Sequence, residues 1–183
     1  IAVMQTRYYR GGDETYERAA KFWGRFSLLH LSLGVMTGLG LIFQLGASWP
    51  RFSAYAGGGL GPWLLMAGLA LLLAWAARPV RHSGWGRLNK KLHLAAIWLA
   101  ALAGNISLFW LVQANAWMQS PRPGISFMEL GGTAELASLG ALPGNPYGWG
   151  QFAHSLPGAW VLAGFFMLGV SAPRPVFPRR NPE

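Results

Sequence analysis

The stretch LHLAAIWLAALAGNISLFWLVQANAWMQSP, residues 92–121, decides the fold of this chain. Its first 26 residues, 92–117, carry no charged side chain. A helix of that length is about 39 Å long, enough to cross a hydrocarbon core of about 30 Å with some tilt. Lys90 and Lys91 precede the stretch, and Trp117 closes it where an indole ring can lie at the lipid head-group level. These features predict a transmembrane helix.

Polar side chains inside this stretch indicate that the helix has neighbours. They are Asn105, Ser107, Gln113 and Asn115. A hydroxyl or amide in lipid needs a hydrogen-bond partner, so we expect these groups to face other helices or a ligand. At about 100° per residue they occupy more than one side of the helix. The pattern therefore favours a hetero-oligomer in which another membrane subunit or a cofactor covers part of the helix.

The overall composition agrees with a membrane protein. Of the 183 residues, 52% are hydrophobic and 11% are charged, whereas soluble domains carry about 25% charged residues. The net charge of +9 comes from basic residues at the ends of apolar runs, so we attribute it to membrane topology and expect no nucleic-acid partner. The chain has no cysteine, which excludes disulfides, Fe–S clusters and cysteine-based zinc sites.

Three further apolar runs complete the predicted fold, an all-α integral membrane bundle of four transmembrane helices. The second run of the chain, residues 63–77, contains almost only Leu, Ala and Trp, so we expect it to face lipid. We place a glycine loop at residues 57–59, and a long loop of small residues before the last run. The four predicted spans cover residues 22–45, 63–77, 92–117 and 151–172.

The segments outside residues 22–172 are assigned by their composition. Residues 1–21 are interpreted as an N-terminal surface segment that resembles the end of a preceding helix. Within it, residues 13–21 favour a short surface helix, because acids come early and bases late. Residues 173–183 form a basic, proline-rich tail.

The distribution of Lys and Arg predicts the topology. Five lie up to Arg25 in the first turn of the first span, then one, five and one lie between successive spans, and three follow the last. By the positive-inside rule both ends are expected in the cytoplasm, with residues 49–61 and 120–150 outside. His154 is then expected near the outer face.

Three sequence blocks go beyond this general picture. Residues 21–49 have a K-F-W-G start, then G-V-x-T-G and F-Q-L-G-x-x-W. Residues 93–121 have a histidine, a tryptophan and an asparagine before N-x-W-M-Q-x-P, and residues 151–172 have F-x-H before a glycine-rich face. In this order and spacing, the blocks resemble subunit I of cytochrome bd-type quinol oxidases. The resemblance implies a subunit of a respiratory complex in a bacterial or archaeal cytoplasmic membrane.

The resemblance also implies a cofactor. His154 matches the family histidine that is an axial ligand of the low-spin haem b, whereas the opposing methionine has no match. The family's proton-path glutamates correspond here to Met66 and Ala74, and a further glutamate to Ile42. The chain is therefore similar to a shortened paralogue or an N-terminal half of the family subunit. We expect it not to reduce oxygen by itself.

The remaining candidate residues have a structural interpretation beside the functional one. His30 has no family counterpart and either bonds across helices or contacts a cofactor. Asn115 and Trp117 either border a haem or a quinone at a shared site, or belong to an interfacial belt. His93 matches the family but not as a haem ligand, so a structural role is expected, and His82 lies in a basic loop.

Three functions follow as alternatives. The first is a subunit of a membrane electron-transfer complex that holds one haem b, with other membrane subunits, lipid and a quinone as partners. The second is a cofactor-free scaffold subunit. The third, a small transporter or channel component, is disfavoured because no span carries a relay of acidic or basic groups.

Overall fold

The structure is a computed structural model and describes residues 1–77, 80, 84–121, 128–136 and 138–172. The predicted proline-rich tail and His82 lie outside these residues. The described helices are α1 (Ala2–Gly11), α2 (Glu14–Ser48), α3 (Pro50–Ala76), α4 (Lys90–Gln119) and α5 (Pro146–Ser171). Between α4 and α5 lie strands β1 (Met128–Leu130) and β2 (Thr133–Glu135) and a 3-10 helix (Leu139–Gly144).

Four of these helices, α2 to α5, are long and apolar enough to cross a membrane. They contain 35, 27, 30 and 26 residues, and each covers one of the four predicted spans to within one residue. A single helix satisfies all its backbone groups internally, which makes it a stable way to cross lipid. The prediction of a four-helix membrane bundle is confirmed, while the orientation of its ends stays a prediction.

Helix α2 begins earlier than the predicted first span. The Asp13 side chain caps it by accepting a hydrogen bond from the Thr15 backbone N–H at 2.8 Å, which lowers the pKa of Asp13 below its usual range. Ion pairs one turn apart follow, with Glu17 and Lys21 at 2.6 Å. Residues 14–21 are thus the first turns of α2 and not a separate surface helix.

The prediction of a glycine loop at residues 57–59 was wrong, because helix α3 runs through them. Residues 57–59 lie inside the helix, which starts at Pro50 instead of near Trp63. The physical reason is the strand β2, which packs on this part of α3. A Cβ atom at Gly59 would lie 3.1 Å from the Ala134 backbone oxygen, so a glycine at this position lets the strand approach the helix closely. Residues 50–61, predicted as an external loop, are therefore helical.

The long loop before the last span also has structure. Strands β1 and β2 pair antiparallel, with Glu129 opposite Ala134. Gly131 and Gly132 both have positive φ, 58° and 85°, as the tight turn between the strands requires. Ala134 is fully buried against α3, so the hairpin closes one end of the bundle.

Helices α3 and α4 form the packed centre of the chain. The Ser107 hydroxyl donates to the Ala67 carbonyl at 2.9 Å across this contact. The rings of Trp63 and Trp110 lie 6.2 Å apart. The buried core joins these two helices to β2 and consists of Ala56, Leu60, Trp63, Ala114, Trp117 and Ala134.

Helix α5 starts at Pro146, one turn before the predicted residue 151. Asn145 fixes this start because its side chain accepts from the Tyr147 N–H at 3.1 Å and donates to the Ser120 carbonyl at 3.1 Å. The end of α4 and the start of α5 are thereby held together. His154 follows two turns into α5.

Candidate functional site

His154 lies on the exposed surface of α5. Gly150 and Gly158 are four residues before and after it, so all three share one face of the helix. A Cβ atom added at either glycine would meet nothing within 4 Å. Within the described part of the chain, no residue hydrogen-bonds to the His154 ring. The histidine therefore stands on a flat strip that the rest of the described chain leaves open.

Four polar side chains connect α4 and α5 one turn before His154, and we call them the amide cluster: Asn115, Gln119, Tyr147 and Gln151. The Gln151 amide donates to Gln119 Oε1 at 3.0 Å, and the Tyr147 hydroxyl donates to the same oxygen at 3.1 Å. Asn115 donates to Gln151 Oε1 at 3.3 Å. Tyr147, Gln151 and His154 follow one another at helical spacing along one side of α5. The predicted site residue Asn115 thus lies beside the face that carries His154.

Trp117 lies on the other side of α4. Its side chain is only 4% exposed and packs between α3 and β2 in the buried core. A Cβ atom at Gly59 would come within 2.9 Å of its ring. Two residues correspond to about 200° around the helix, so Trp117 and Asn115 face opposite directions. Trp117 is therefore a core residue, and the expectation of an interfacial anchor at this position was wrong.

His30 lies on α2, apart from His154. Its Nδ1 atom is 2.9 Å from the Phe26 carbonyl oxygen, so it donates to its own helix. Its ring packs edge-on against Phe166 of α5, with centroids 5.3 Å apart. Phe166 follows His154 by 12 residues, about 18 Å along the helix axis. The structure does not bring the two histidines together.

The polar residues of α4 find partners to different degrees. Ser107 bonds across to α3 and Asn115 across to α5, as predicted. Asn105 donates only to the Ala101 carbonyl of its own helix, at 2.8 Å. Gln113 is fully buried against Gly148, and neither atom of its amide group has a hydrogen-bond partner among the described residues. An isolated glutamine in an apolar run was the available signal for this buried amide.

His93 is fully buried at the basic end of α4. Its Nδ1 atom lies 2.9 Å from Gln5 Nε2 and 2.7 Å from the Tyr9 hydroxyl, so it ties α1 to α4. The ring of Trp85 packs edge-on against it at 5.1 Å. These contacts fit the structural role that the sequence predicts.

The described residues contain no group of three or more His, Asp or Glu side chains that could hold a bare metal ion. A metal bound by these described residues would therefore depend on few protein ligands. Haem iron fits that condition, because the macrocycle supplies four ligands and the protein supplies one or two. His154 has the right chemistry and open space on both sides, so it fits one axial position. No second histidine of the described residues lies near it.

Comparisons with known proteins agree on one family. Residues 1–180 match the family model of cytochrome bd terminal oxidase subunit I. The chain is 38% identical over 173 residues to cytochrome bd ubiquinol oxidase subunit 1 of Bacillus subtilis (strain 168), covering 94% of this chain and 36% of the relative. It is 35% identical to cytochrome bd-II ubiquinol oxidase subunit 1 of Escherichia coli (strain K12), covering 94% of this chain and 34% of the relative.

A solved structure shows the same fold. The bd oxidase from Geobacillus thermodenitrificans superposes with a TM-score of 0.84 at 25% sequence identity, covering 93% of this chain and 39% of the other. The chain thus spans about a third of the length of the curated relatives that it matches.

Proposed function

The chain belongs to the cytochrome bd terminal oxidase subunit I family, and from that premise we propose that it is a subunit of a membrane respiratory electron-transfer complex. Its four apolar helices make it an integral membrane protein, and its curated relatives are bacterial. Within that complex, we propose that His154 is an axial ligand of a haem b. Haem, when bound, supplies one-electron transfer.

The observation that carries this proposal is the surface around His154. A planar macrocycle needs a ligand that projects from a helix and small residues beside it. His154 is exposed, and Gly150 and Gly158 leave open space one turn before and one turn after it. Helix α5 thus holds the imidazole on a rigid element. The described residues do not fill the strip with side chains of their own.

The second ligand and the cover of this strip come from outside the described residues. His30, the other exposed histidine of the spans, packs against Phe166, which lies about 18 Å beyond His154 along the axis of α5. We therefore propose that the complex includes further membrane helices that pack on α5. The exposed apolar surface supports this proposal, since Leu162 of α5 is 73% exposed and Phe43 of α2 is 78% exposed.

A quinone is the proposed electron donor or acceptor at a shared site. The names of the curated relatives describe ubiquinol oxidases. A quinone presents two carbonyl oxygens, which accept hydrogen bonds from amide and hydroxyl donors. Asn115, Gln119 and Gln151 each keep a second amide N–H beyond the one used within the amide cluster, next to the proposed haem ligand.

The alternative is a scaffold subunit that binds no cofactor. It is favoured by the absence of a second ligand for His154 among the described residues. Both functions use the same fold, so only the haem content of the complex separates them.

The test replaces His154 in the intact complex, isolated from membranes. His154→Ala should remove one haem b per complex, measured as a pyridine haemochrome and as lost reduced-minus-oxidised absorbance. His30→Ala is the matched control, because it removes the same side chain from an exposed position in another span. It should leave the haem content unchanged.

Assembly is measured in the same samples by the yield of the co-purified subunits. An assembled His154→Ala complex with an unchanged haem count would overturn the haem proposal and leave the scaffold function. Loss of haem in the His30 variant instead would indicate that the haem ligand lies on α2.

A further inference from the structure

Three amides of the amide cluster form a closed ring of hydrogen bonds between α4 and α5. Asn115 donates to Gln151 Oε1 at 3.3 Å, and Gln151 donates to Gln119 Oε1 at 3.0 Å. Gln119 donates back to Asn115 Oδ1 at 3.4 Å. Each amide thus gives one N–H to the next and accepts at its own oxygen. The closed ring fixes which hydrogen-bonding groups remain for a ligand.

Gln119 is the most constrained member of the amide cluster. Its Oε1 atom accepts both from Gln151 at 3.0 Å and from the Tyr147 hydroxyl at 3.1 Å. A carbonyl oxygen has two lone pairs, so this oxygen has no acceptor capacity left. One N–H of its Nε2 group points to Asn115, and the second has no acceptor among the described residues. Gln119 can therefore only donate to a ligand.

The amide cluster as a whole has unused donors. Asn115 and Gln151 also keep a second amide N–H each. An oxygen that accepts one hydrogen bond is satisfied, whereas each N–H needs an acceptor of its own. The Tyr147 hydroxyl already donates to Gln119. A ligand with acceptor oxygens therefore matches the amide cluster better than a ligand that presents hydroxyl groups.

The amide cluster lies at a depth that suits a quinone head group. Gln119 is the last residue of α4 and follows the charge-free run 92–117, so it lies at the edge of the hydrocarbon region. The Tyr147 ring beside it is 47% exposed and offers an aromatic face for stacking. His154 follows Gln151 by three residues, about 4.5 Å along α5.

We propose that Gln119 selects the oxidised form of the quinone at this site, because its free N–H donates to a quinone carbonyl and its oxygen cannot accept from a quinol hydroxyl. This inference rests on the proposed quinone site and adds its donor and its preference between two redox forms. A quinone presents two acceptor oxygens, whereas a quinol presents two hydroxyl donors. A hydrogen bond made to one form only corresponds to a preference of roughly tenfold.

The test uses infrared spectroscopy on the purified complex with a bound ubiquinone that carries carbon-13 at its two carbonyl carbons. A hydrogen bond lowers the stretching frequency of a carbonyl group, and the label separates its band from those of protein, lipid and haem propionates. The unaltered complex should show the lowered band. Gln119→Glu should shift it back to the frequency of free quinone at about pH 8, where an exposed carboxyl group is ionised and has no N–H to donate.

This substitution is sharp because glutamate has the size of glutamine. Its carboxylate can still accept from Gln151 and Tyr147, so the contact between α4 and α5 is retained. Gln119→Met has similar length and neither donor nor charge, so it should lose the lowered band as well. It also serves as the test variant if the glutamate complex does not assemble, which the yield of co-purified subunits shows.

A redox titration of the same samples measures the preference. Tenfold tighter binding of the quinone lowers the midpoint potential of the bound two-electron couple by about 30 mV relative to the free couple. Gln119→Glu should raise the bound potential by at least about 30 mV, because the donor is lost and the carboxylate accepts from the quinol. An unchanged potential would overturn the proposed selectivity.

Gln44→Glu is the matched control. Gln44 is an exposed amide one turn before the end of α2 and does not belong to the amide cluster. The same carboxylate at this position should leave both the carbonyl band and the midpoint potential unchanged. Equal changes in the Gln44 and Gln119 variants would mean a general effect of added charge and would overturn the role of Gln119.

The infrared result also separates this inference from the function on which it rests. If the unaltered complex shows no lowered carbonyl band, the proposed quinone site is wrong and the selectivity falls with it. If the lowered band is present and persists in both Gln119 variants, the quinone site stands and Gln119 is not its donor.

Discussion

Helices α3 and α4 are packed against each other, whereas α2 and α5 are left largely uncovered by the chain. The Trp63 side chain of α3 is 0% exposed, although it is one of the largest in the chain. In α2 and α5, no residue of the most apolar 18-residue window is buried. The two exposed histidines of the spans, His30 and His154, lie on the uncovered helices. Groups available to a cofactor or partner are therefore found where the chain does not cover itself.

The packing of α3 against α4 depends on small side chains at their contact. Helices α3 and α4 meet through small residues such as Ala56 and Ala114, with a tryptophan filling the space between them. Helices in lipid gain no hydrophobic energy by associating, so close packing and cross-helix hydrogen bonds decide which pairs form. Helix α5 has comparably small residues at Gly158 and Gly164, but they meet no neighbour within the described chain. The sequence of α5 is thus suited to a partner that the described residues do not supply.

The largest expected effect concerns the membrane topology of these helices. A cysteine on one side of the membrane is either labelled by an impermeant reagent or it is not. The chain has no cysteine, so single cysteines can be placed cleanly. Ser138→Cys, exposed between α4 and α5, should react with an impermeant thiol reagent from outside the cell. Arg10→Cys, exposed at the end of α1, should react only after the membrane is opened.

Labelling of the Arg10 variant in intact cells, with protection of the Ser138 variant, would invert the topology. His154 and the amide cluster would then lie on the cytoplasmic side.

Side-chain truncation in the packed pair α3 and α4 should lower the free energy of unfolding far more than truncation in the uncovered helices α2 and α5. Trp63→Ala should lower the free energy of unfolding by about 3–5 kcal/mol, because it empties a buried space between α3 and α4. Trp160→Ala removes the same ring from α5, where it is 63% exposed. It should change the stability of the isolated chain by less than about 0.5 kcal/mol. Denaturant unfolding in detergent measures both, and equal effects would remove the distinction between the two regions.

The four spans could be predicted because lipid leaves the backbone few choices. A charge-free run long enough to cross must satisfy its own hydrogen bonds, which a helix does. The positions of Ser107 and Asn115 on faces towards other helices followed from the same argument, since polar groups in lipid need partners.

The errors arose where tertiary contacts override a local pattern. Three consecutive glycines at residues 57–59 favour a loop by themselves. The structure keeps them helical because β2 packs on the helix surface that they leave bare. Trp117 was assigned to the interface from its place at the end of a span, but the side of α4 on which it lies faces α3. Neither contact is visible in a single segment.

The third prediction tests whether the uncovered face of α5 is occupied by the proposed haem. Gly158→Leu adds a side chain into space that the described chain leaves open. The isolated chain should not lose stability, because leucine favours a helix more than glycine does. The complex should lose most of the haem proposed at His154, since the new side chain would occupy the place of the ring.

Gly164→Leu is the control, because six residues place it on another side of α5. It should leave the haem spectrum of the purified complex unchanged. Equal haem loss in both variants would point to general damage to α5.

The smallest expected effect tests whether the contact between α3 and α4 depends on its hydrogen bond or on its packing. Ser107 is buried and donates to Ala67 across the two helices. Ser107→Ala should cost about 0.6 kcal/mol, the typical value for such bonds in membrane proteins. Asn105→Ala is the matched control on the same helix, because its side chain bonds only within α4 and is exposed. It should have no measurable effect on unfolding of the isolated chain.

The comparison of these two variants with Trp63→Ala then decides how the pair is held. If Ser107→Ala costs as much as the tryptophan truncation, hydrogen bonding dominates and small residues are secondary. If it costs several times less, shape complementarity holds α3 and α4 together. In that case the small residues on α5 are a better guide to its partner than any polar group on it, because the same physics must govern the helix that covers His154.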